Sequence, residues 1–255
     1  MKKTKKTNRI ISLGLAAALL AACLLGGCAK DGNTGENGGG NVGSRSVTSV
    51  EFDPHPFGMD DLTVNGNVRL GMKPDEVREI MGQPDSEQTL TDDFIYGQHV
   101  RMTYGGLSLT FYDVDGGEDY TLGIISASSD EPMFSCGLRV GCTADEVIAA
   151  FTRSEEVEPL YFPYIEESCG DYLYGTYTME DFLLEKPEGV VQYAYINRYG
   201  MEDSHEYLLE YYFVNPLIWQ GEYSGYSGDY YSMVFYVDAD TDLVTAINLN
   251  YDVFL

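Results

Sequence analysis

The feature that most constrains this fold is a motif that occurs twice. The chain reads VRLGMKPDEVREIMGQPD from Val68 to Asp85 and LRVGCTADEVIAAF from Leu138 to Phe151. The shared Arg-x-Gly and Asp-Glu-Val residues of the two copies are 70 positions apart. Self-similarity at a fixed distance indicates a repeated structural unit. The sequence therefore predicts two tandem repeats built from the same elements.

Each copy of the motif has residues that begin a helix. Thr143 and Glu146 are spaced as a capping box, in which each side chain satisfies a backbone N–H at the helix start. In the first copy Pro74 suits the first helical position, and Glu76 lies three residues after Lys73. We therefore predict that the acidic residues of the motif cap short helices and take no part in chemistry.

After each helix motif, apolar residues alternate with polar ones, which is the pattern of β-strands. Three strands are predicted in the first half and five in the second, and a weaker candidate covers 94–96. The eight predicted strands are 100–104, 107–112, 122–126, 172–178, 190–199, 206–214, 231–237 and 243–249. Strands thus follow a helix in both halves.

The closing hairpins of the two halves also match. Phe111-Tyr112 aligns with Phe235-Tyr236, at an offset of 124 residues instead of 70. The second copy therefore has 54 additional residues between its helix and its last hairpin, which indicates duplication followed by an insertion. We predict an α+β fold of two repeats, residues 51–131 and 132–255, each with a short helical segment packed on an antiparallel sheet.

These motifs carry a resemblance to a known family. RLGMKPDEVREIMGQPD and RVGCTADEV, each followed by a late FYD or FYVD hairpin, resemble the helix-plus-sheet repeat of one family. That family includes beta-lactamase inhibitory protein and the small lipoprotein of the outer-membrane β-barrel assembly machinery. The resemblance covers 68–126 and, with the insertion, 138–255. It implies tandem units whose concave sheet surface binds another protein, whereas the insertion and the strong acidity depart from the family pattern.

Residues 1–27 have the character of a bacterial lipoprotein signal peptide. Five basic residues precede an apolar run from Ile10 to Leu25 that is short for a membrane span. The run leads into Leu-Gly-Gly-Cys, which resembles a lipobox and makes Cys28 the lipid attachment site and first mature residue. An ordinary secretory signal with a chance cysteine is the alternative. We expect an exported chain whose lipid holds it to a membrane, at the cell surface or in the periplasm.

Composition predicts a flexible linker and indicates which classes of partner are favoured. Gly, Asn and Ser dominate residues 28–50, which predicts a flexible tether after the lipidated cysteine. Without residues 1–27 the chain has 10 basic and 41 acidic residues, a formal charge of −31. Such a charge repels nucleic acid and favours cationic partners or divalent ions, although acidity also keeps exported proteins soluble. No nucleic-acid partner is expected.

The sequence has no signature of catalysis. It has three histidines that lie far apart: His55, His99 and His205. No nucleophile elbow, phosphate-binding loop or dinucleotide fingerprint occurs. Cys169 as a nucleophile with His205 as its base is the remaining hydrolase hypothesis. Of Cys136, Cys142 and Cys169 at most one pair can form a disulfide, and the sequence does not identify it. We predict a protein that is not an enzyme and has no cofactor.

One acidic segment has the spacing of a metal loop. Asp238, Asp240 and Asp242 place carboxylates at alternate positions, as a calcium loop does. Leu243 stands where that loop needs glycine, and Leu249 stands where it needs glutamate. An acidic hairpin turn is therefore the favoured interpretation, and the three aspartates are only weak metal candidates.

Aromatic residues indicate a binding surface. Tyr193, Tyr195 and Tyr199 are two or four residues apart in a predicted strand and so share one face of it. The segment NPLIWQGEYSGYSGDYY at 215–231 predicts a Gly/Ser-rich loop. The aromatic residues expected on that loop are Trp219, Tyr223, Tyr226 and Tyr230. Tyrosine and tryptophan dominate binding hot spots, although tyrosine rings also form the core of shallow sheets. We predict that these seven residues bind an envelope or extracellular protein, with a glycan or cell-wall polymer as the alternative ligand.

Overall fold

A computed structural model describes most of the chain after residue 51. The described residues are 52–92, 97–113, 119–153, 155, 158–160, 168–175, 189–198, 205–219 and 226–254. Residues Glu51–Leu255 form one compact unit. The predicted signal peptide, Cys28, the tether, the weak strand at 94–96, Tyr199 and Tyr223 lie outside the described residues.

Two α-helices begin where the repeated motif predicts them. Helix α1 spans Pro74–Met81 and helix α2 spans Ala144–Ala150, and a short 3-10 helix covers Met59–Asp61. Thr143 Oγ1 accepts the N–H of Glu146 at 3.2 Å, and Glu146 Oε2 accepts the N–H of Thr143 at 2.8 Å. These contacts confirm the predicted capping box. No helix in the described ranges is long and apolar enough to cross a membrane.

Twelve strands in the described residues form two sheets. Strands β1 (Thr63–Val64) and β2 (Val68–Arg69) pair with each other. The other strands are β3 (Ser86–Asp92), β4 (Gly97–Tyr104), β5 (Leu107–Asp113), β6 (Tyr120–Ala127), β7 (Glu158–Leu160), β8 (Gly170–Gly175), β9 (Gly189–Asn197), β10 (Glu206–Trp219), β11 (Tyr226–Asp238) and β12 (Leu243–Phe254). They form one ten-stranded sheet in the order β3-β4-β5-β6-β12-β11-β10-β9-β8-β7. Each neighbouring pair is antiparallel, so the fold is α+β and dominated by sheet.

All eight predicted strands are present, but the loop predicted at 215–231 is wrong for 215–219 and 226–231, which belong to strands; residues 220–225 lie outside the described residues. Trp219 pairs with Tyr226 at the far ends of β10 and β11, and Tyr230 pairs with Val214 within the same ladder. The register shifts between Val214 and Ile218, a stretch that contains Pro216. A bulge of this kind accommodates a proline while the strands continue beyond it. Ser227 and Gly228, which locally favour a turn, therefore lie within strand β11.

One face of the large sheet carries the hydrophobic core. Its central row of cross-strand neighbours runs through Met102, Leu109, Ile125, Leu249, Met233, Tyr211 and Ala194. All seven side chains are at most 2% exposed. Val77 of α1 and Val147 of α2 belong to the same buried cluster, together with Phe57 and Leu62 of the N-terminal segment. Both helices and this segment therefore pack on the same face of the sheet.

The segment before each helix joins the sheet in the same way. The N–H of Gly71 donates to the carbonyl of Leu122 at 2.8 Å, and the N–H of Leu122 donates to the carbonyl of Met72 at 2.8 Å. The corresponding bonds in the second half, of 2.8 and 2.9 Å, connect Gly141 and Cys142 with Val244. Gly71 and Gly141 have φ values of 85° and 87°, in the left-handed region that favours glycine.

Candidate functional site

The second face of the large sheet carries mainly polar and aromatic residues. One row of cross-strand neighbours consists of Ser86, Thr103, Ser108, Ser126, Asn248, Val234, Glu210, Tyr195 and Tyr172. The adjacent row consists of Gln88, Arg101, Thr110, Ile124, Asn250, Ser232, Tyr212, Tyr193 and Gly175. Residues two apart in a strand share a face, so both rows lie opposite the core. We call this surface, which spans β3–β6 and β8–β12, the polar face.

Four tyrosines, three of them stacked on one another, occupy one end of the polar face. The ring of Tyr212 lies 4.7 Å from that of Tyr193 and 5.6 Å from that of Tyr195, with interplanar angles of 20° and 24°. The ring of Tyr230 lies 5.3 Å from that of Tyr212, with an interplanar angle of 52°. The hydroxyl of Tyr230 is hydrogen-bonded to that of Tyr193. Stacked and tilted aromatic pairs each stabilise by about 0.5–1.5 kcal/mol beyond area burial. We call these four residues the tyrosine cluster.

The carboxylate of Glu210 lies against the tyrosine cluster. Glu210 is 1% exposed, and its Oε1 accepts a hydrogen bond from Asn197 Nδ2 at 2.8 Å. Its Oε2 accepts from the hydroxyl of Tyr195 at 3.1 Å and also from that of Tyr212. Three donors suit an ionised carboxylate, which can only accept. The strand pairing of β9 with β10 thus assembles a buried acid among neutral donors.

No cation of the described residues balances Glu210. The ion pairs found among those residues join His55 to Asp61, Lys73 to Asp119, Arg78 to Asp75 and Glu87, and Arg198 to Asp171. None of them involves Glu210. A buried carboxylate is costly unless it is hydrogen-bonded and paired with a positive charge. Neutral groups donate the hydrogen bonds that Glu210 accepts, but no positive side chain in the described part of the chain pairs with its negative charge.

The hydroxyls of the tyrosine cluster are held in their protonated form. Burial raises the pKa of each of the four tyrosines above the ordinary value of 10. The negative charge of Glu210 contributes in the same direction to all four pKa values. A protonated hydroxyl can donate, so these tyrosines remain hydrogen-bond donors at neutral pH.

The structure brings together three of the seven residues that the sequence predicts to bind a partner. Tyr193, Tyr195 and Tyr230 belong to the tyrosine cluster, and all three are half-buried. Trp219 and Tyr226 face each other as backbone partners farther along the β10–β11 hairpin. Glu210 and Tyr212 were not identified from the sequence, although their alternation with Leu209 and Tyr211 places both on the face opposite the core.

The three aspartates near the C-terminal hairpin form its turn. Asp238 Oδ1 accepts the N–H groups of Asp240 at 3.0 Å and Thr241 at 2.9 Å, and also the Thr241 hydroxyl. These bonds, with the Thr241 hydroxyl first, lower the pKa of Asp238. Asp242 Oδ1 accepts the hydroxyl of Tyr207 at 2.7 Å. Within the described ranges no group of three or more His, Cys, Asp or Glu side chains is arranged to hold a metal ion.

Two of the three cysteines in the folded unit, Cys136 and Cys142, are free thiols. Cys136 and Cys142 are half-buried, and Cys169 is buried. Burial raises the pKa of Cys136 to about 12 and that of Cys142 to about 11. The thiolate is the reactive form, so both thiols are poor nucleophiles at neutral pH.

Comparison of the sequence with protein-family models gave no match, and neither curated proteins nor solved structures gave a significant one.

Proposed function

We propose that this chain is an exported, lipid-anchored binding protein without enzymatic activity, and that its polar face binds a protein partner. The tyrosine cluster with Glu210 is the observation that carries the proposal. Tyrosine offers a large contact area at a low cost in rotamer entropy. Because the core and both helices lie on the opposite face, a partner can cover the polar face without disturbing the packing. Antiparallel sheets commonly leave one face open in this way.

We further propose that the fold is a duplication with an insertion in the second copy. The matching bonds of Gly71 with Leu122 and of Gly141 with Val244 support it. A register shift also falls between Thr110 and Phe111 in the first half and between Tyr236 and Val237 in the second. This match aligns Phe111 with Val237, two residues beyond the alignment on Phe235 that the sequence alone favoured.

The seam between the halves supports the same proposal. Leu122 and Val244 are equivalent at an offset of 122, so Ile125 and Ala127 correspond to Ile247 and Leu249. In the sheet Ile125 pairs with Leu249 and Ala127 pairs with Ile247. If each residue is replaced by its equivalent in the other half, the first of these pairs becomes the second. This is the relationship expected for an approximate two-fold axis that passes through the pair of Ser126 and Asn248. Tandem copies joined edge to edge produce this relationship.

The membrane anchor is the part of the proposal that rests on sequence alone. Cleavage before Cys28 and lipid attachment to its thiol would leave residues 29–50 as the tether. Mass spectrometry of the full-length chain expressed in bacteria tests this point. We expect a mature N-terminus at Cys28 with acyl mass added. Recovery of an unmodified protein in the soluble fraction would contradict the anchor, and a Cys28→Ser variant should lose both the acyl mass and the membrane association.

Site-specific photocrosslinking tests the binding proposal. A photoreactive amino acid is placed at Ser126, which lies at the centre of the polar face, or at Glu79, which is exposed on α1. We expect a discrete protein adduct from position 126 of the membrane-anchored chain and none from position 79. A partner-blocking Ser126→Arg change, with circular dichroism unchanged, should abolish an adduct formed from a photoreactive residue at Ser108. Equal adducts from both faces, or none from the polar face, would contradict the proposal.

A glycan or cell-wall polymer is the second candidate ligand. Stacked tyrosine rings on β9 and β10, and the amides of Asn248 and Asn250 on β12, give the polar face both stacking surfaces and hydrogen-bonding groups. Co-sedimentation of the chain with purified cell-wall polymer distinguishes the two ligands. Sedimentation that Ser126→Arg abolishes, without any protein adduct at position 126, would favour the polymer over a protein.

A further inference from the structure

We propose that the tyrosine cluster receives a cationic side chain of the partner, lysine or arginine, and that Glu210 is its counter-charge. This inference deepens the proposed function and rests on it. It names the chemistry of the group that the polar face recognises. The site consists of Glu210 and the rings of Tyr193, Tyr195, Tyr212 and Tyr230.

The buried carboxylate of Glu210 can attract a cationic ligand. Glu210 is 1% exposed, and three neutral groups hold its two oxygens. Within the described part of the chain no lysine, arginine or histidine forms an ion pair with it. Coulomb attraction in such a low-dielectric environment is stronger than in water. A ligand cation placed above the carboxylate would therefore gain a strong interaction and balance the buried charge.

The rings of the tyrosine cluster can also attract a cation. The π-face of a tyrosine attracts cations, and groups of aromatic rings are the common binding sites of ammonium groups. Tyr193, Tyr195 and Tyr230 are half-buried, so part of each residue remains accessible to a ligand. Their stacked arrangement orders the rings before a ligand arrives, which lowers the entropy cost of binding. The carboxylate below and the rings around it thus act on the same positive charge.

The charge of the whole protein acts in the same direction. Residues 28–255 have a formal charge of −31, so cationic groups are attracted from a distance. That general field is not selective, because it acts on every part of the surface. Selectivity requires a local group, and Glu210 is the acidic side chain in the two rows that form the polar face. Substitution of Glu210 therefore separates the local site from the general field.

A matched pair of peptides tests the inference with the full-length chain in detergent. One peptide is acetyl-Gly-Gly-Lys-Gly-Gly-amide, and the other has norleucine in place of lysine. Tyrosines carry a ¹³C label, and their NMR signals are followed during titration at low salt. We expect saturable shifts with the lysine peptide and none with the norleucine peptide. An arginine peptide should also bind, and 0.5 M salt should weaken both because it screens the long-range attraction to the acidic protein.

Three variants make the test specific. Glu210→Gln should weaken lysine-peptide binding at least tenfold, whereas Glu206→Gln, the same charge change at the start of β10, should change it less than twofold. If Glu210→Gln does not fold, Tyr193→Leu replaces it, because it removes one ring without touching a hydrogen bond of Glu210. That variant should weaken binding at least threefold. Equal binding of norleucine, or equal effects of Glu210→Gln and Glu206→Gln, would overturn the inference.

The outcomes also separate this inference from the proposed function. A protein adduct at Ser126 that persists unchanged in Glu210→Gln overturns the cation site and leaves the binding role of the polar face standing. Lysine-peptide binding that depends on Glu210, in a chain that gives no adduct at Ser126, supports the cation site and contradicts a protein partner.

Discussion

His55 Nε2 lies 2.8 Å from Asp61 Oδ1, and the Asp61 side chain is 4% exposed whereas that of His55 is 46% exposed. The other ring nitrogen, Nδ1, lies 3.2 Å from the carbonyl oxygen of Asp53. Both neighbours are acceptors, so the doubly protonated imidazolium satisfies both contacts. The hydrogen bond to Asp61 is the largest cause of a raised pKa at His55, and the bond to Asp53 adds to it.

This pair predicts a pH-dependent contribution to stability. Because the pKa of His55 is raised in the folded state, its contribution is fully present below the ordinary value of 6.5 and is lost as the pH rises through the raised pKa. We expect the contribution to be below about 1 kcal/mol, since the ring is half exposed and solvent screens the pair. Urea unfolding of the parent and of His55→Asn should differ more at pH 5.5 than at pH 8.5.

His205→Asn is the matched control for that measurement. His205 is exposed and has a φ of 53°, a conformation that asparagine tolerates. The difference in unfolding free energy between the parent and this variant, measured at pH 5.5 and pH 8.5, is the reference for replacing an exposed histidine by asparagine. If His55→Asn behaves in the same way, the contact between His55 and Asp61 does not couple protonation to folding.

Thr143 provides a test of the repeated motif. Its hydroxyl accepts the N–H of Glu146, whereas Lys73, at the same place in the first copy, caps α1 only through its backbone N–H. Thr143→Ala should lower the free energy of unfolding by about 1 kcal/mol, and Thr143→Ser by much less. Lys73→Ser should cost less than Thr143→Ala, because it supplies the hydroxyl that this copy lacks and this offsets the loss of the exposed ion pair with Asp119. Urea unfolding measures all three changes, and equal losses in the Ala and Ser variants of Thr143 would contradict the capping role.

Gly170 in β8 lies too close to the backbone of β9 to be replaced by a residue with a side chain. A Cβ at this position would lie 1.7 Å from the carbonyl oxygen of Ile196 in β9. Gly170→Ala should therefore move backbone and destabilise the fold by about 1–3 kcal/mol. Gly58→Ala is the control, because its Cβ would meet its nearest neighbour, Gln192, at 3.8 Å. Its effect on the midpoint of urea unfolding should be small, and a neutral Gly170→Ala would show that β8 and β9 lie farther apart.

The half-buried thiols of Cys136 and Cys142 should react slowly in the native protein. Burial raises the pKa of Cys136 to about 12 and of Cys142 to about 11, so the thiolate fraction at pH 8 is small. We expect alkylation by iodoacetamide at pH 8 to be at least tenfold slower in the folded chain than in guanidinium chloride. Peptide mass spectrometry follows each cysteine separately. Native alkylation as fast as in denaturant would mean that this part of the structure opens readily.

Local sequence determines some parts of this fold well. Both helix starts were predicted, because a cap is formed by residues within one turn of each other. Eight strands were predicted because each alternates between a buried apolar row and the polar face. Strand β3 was missed because its residues, SEQTLTD, are polar on both faces and mostly exposed. It is an edge strand that pairing with β4 defines.

The candidate site was only partly predictable for a related reason. Alternation identified Tyr193 and Tyr195 as neighbours on one face. The environment of Glu210, however, depends on β9 lying beside β10 with Tyr195 opposite it. Strand register between segments is set by the packing of the whole sheet and is not encoded in either segment alone. The loop predicted at 215–231 was wrong at 215–219 and 226–231 for the same reason, since the β10–β11 ladder continues through residues that locally favour turns.

The position of β12 has a consequence for how the chain folds. In the described ten-stranded sheet every neighbouring pair is consecutive along the chain except β6 and β12. Strands β3–β6 can assemble as soon as they are made, but β6 must wait for a partner that begins 116 residues after Ala127. Until then β6 and β11 each present an unpaired edge, which invites pairing with other chains. Joining the halves is therefore a late and non-local step, and an incomplete chain is prone to aggregate from both edges at once.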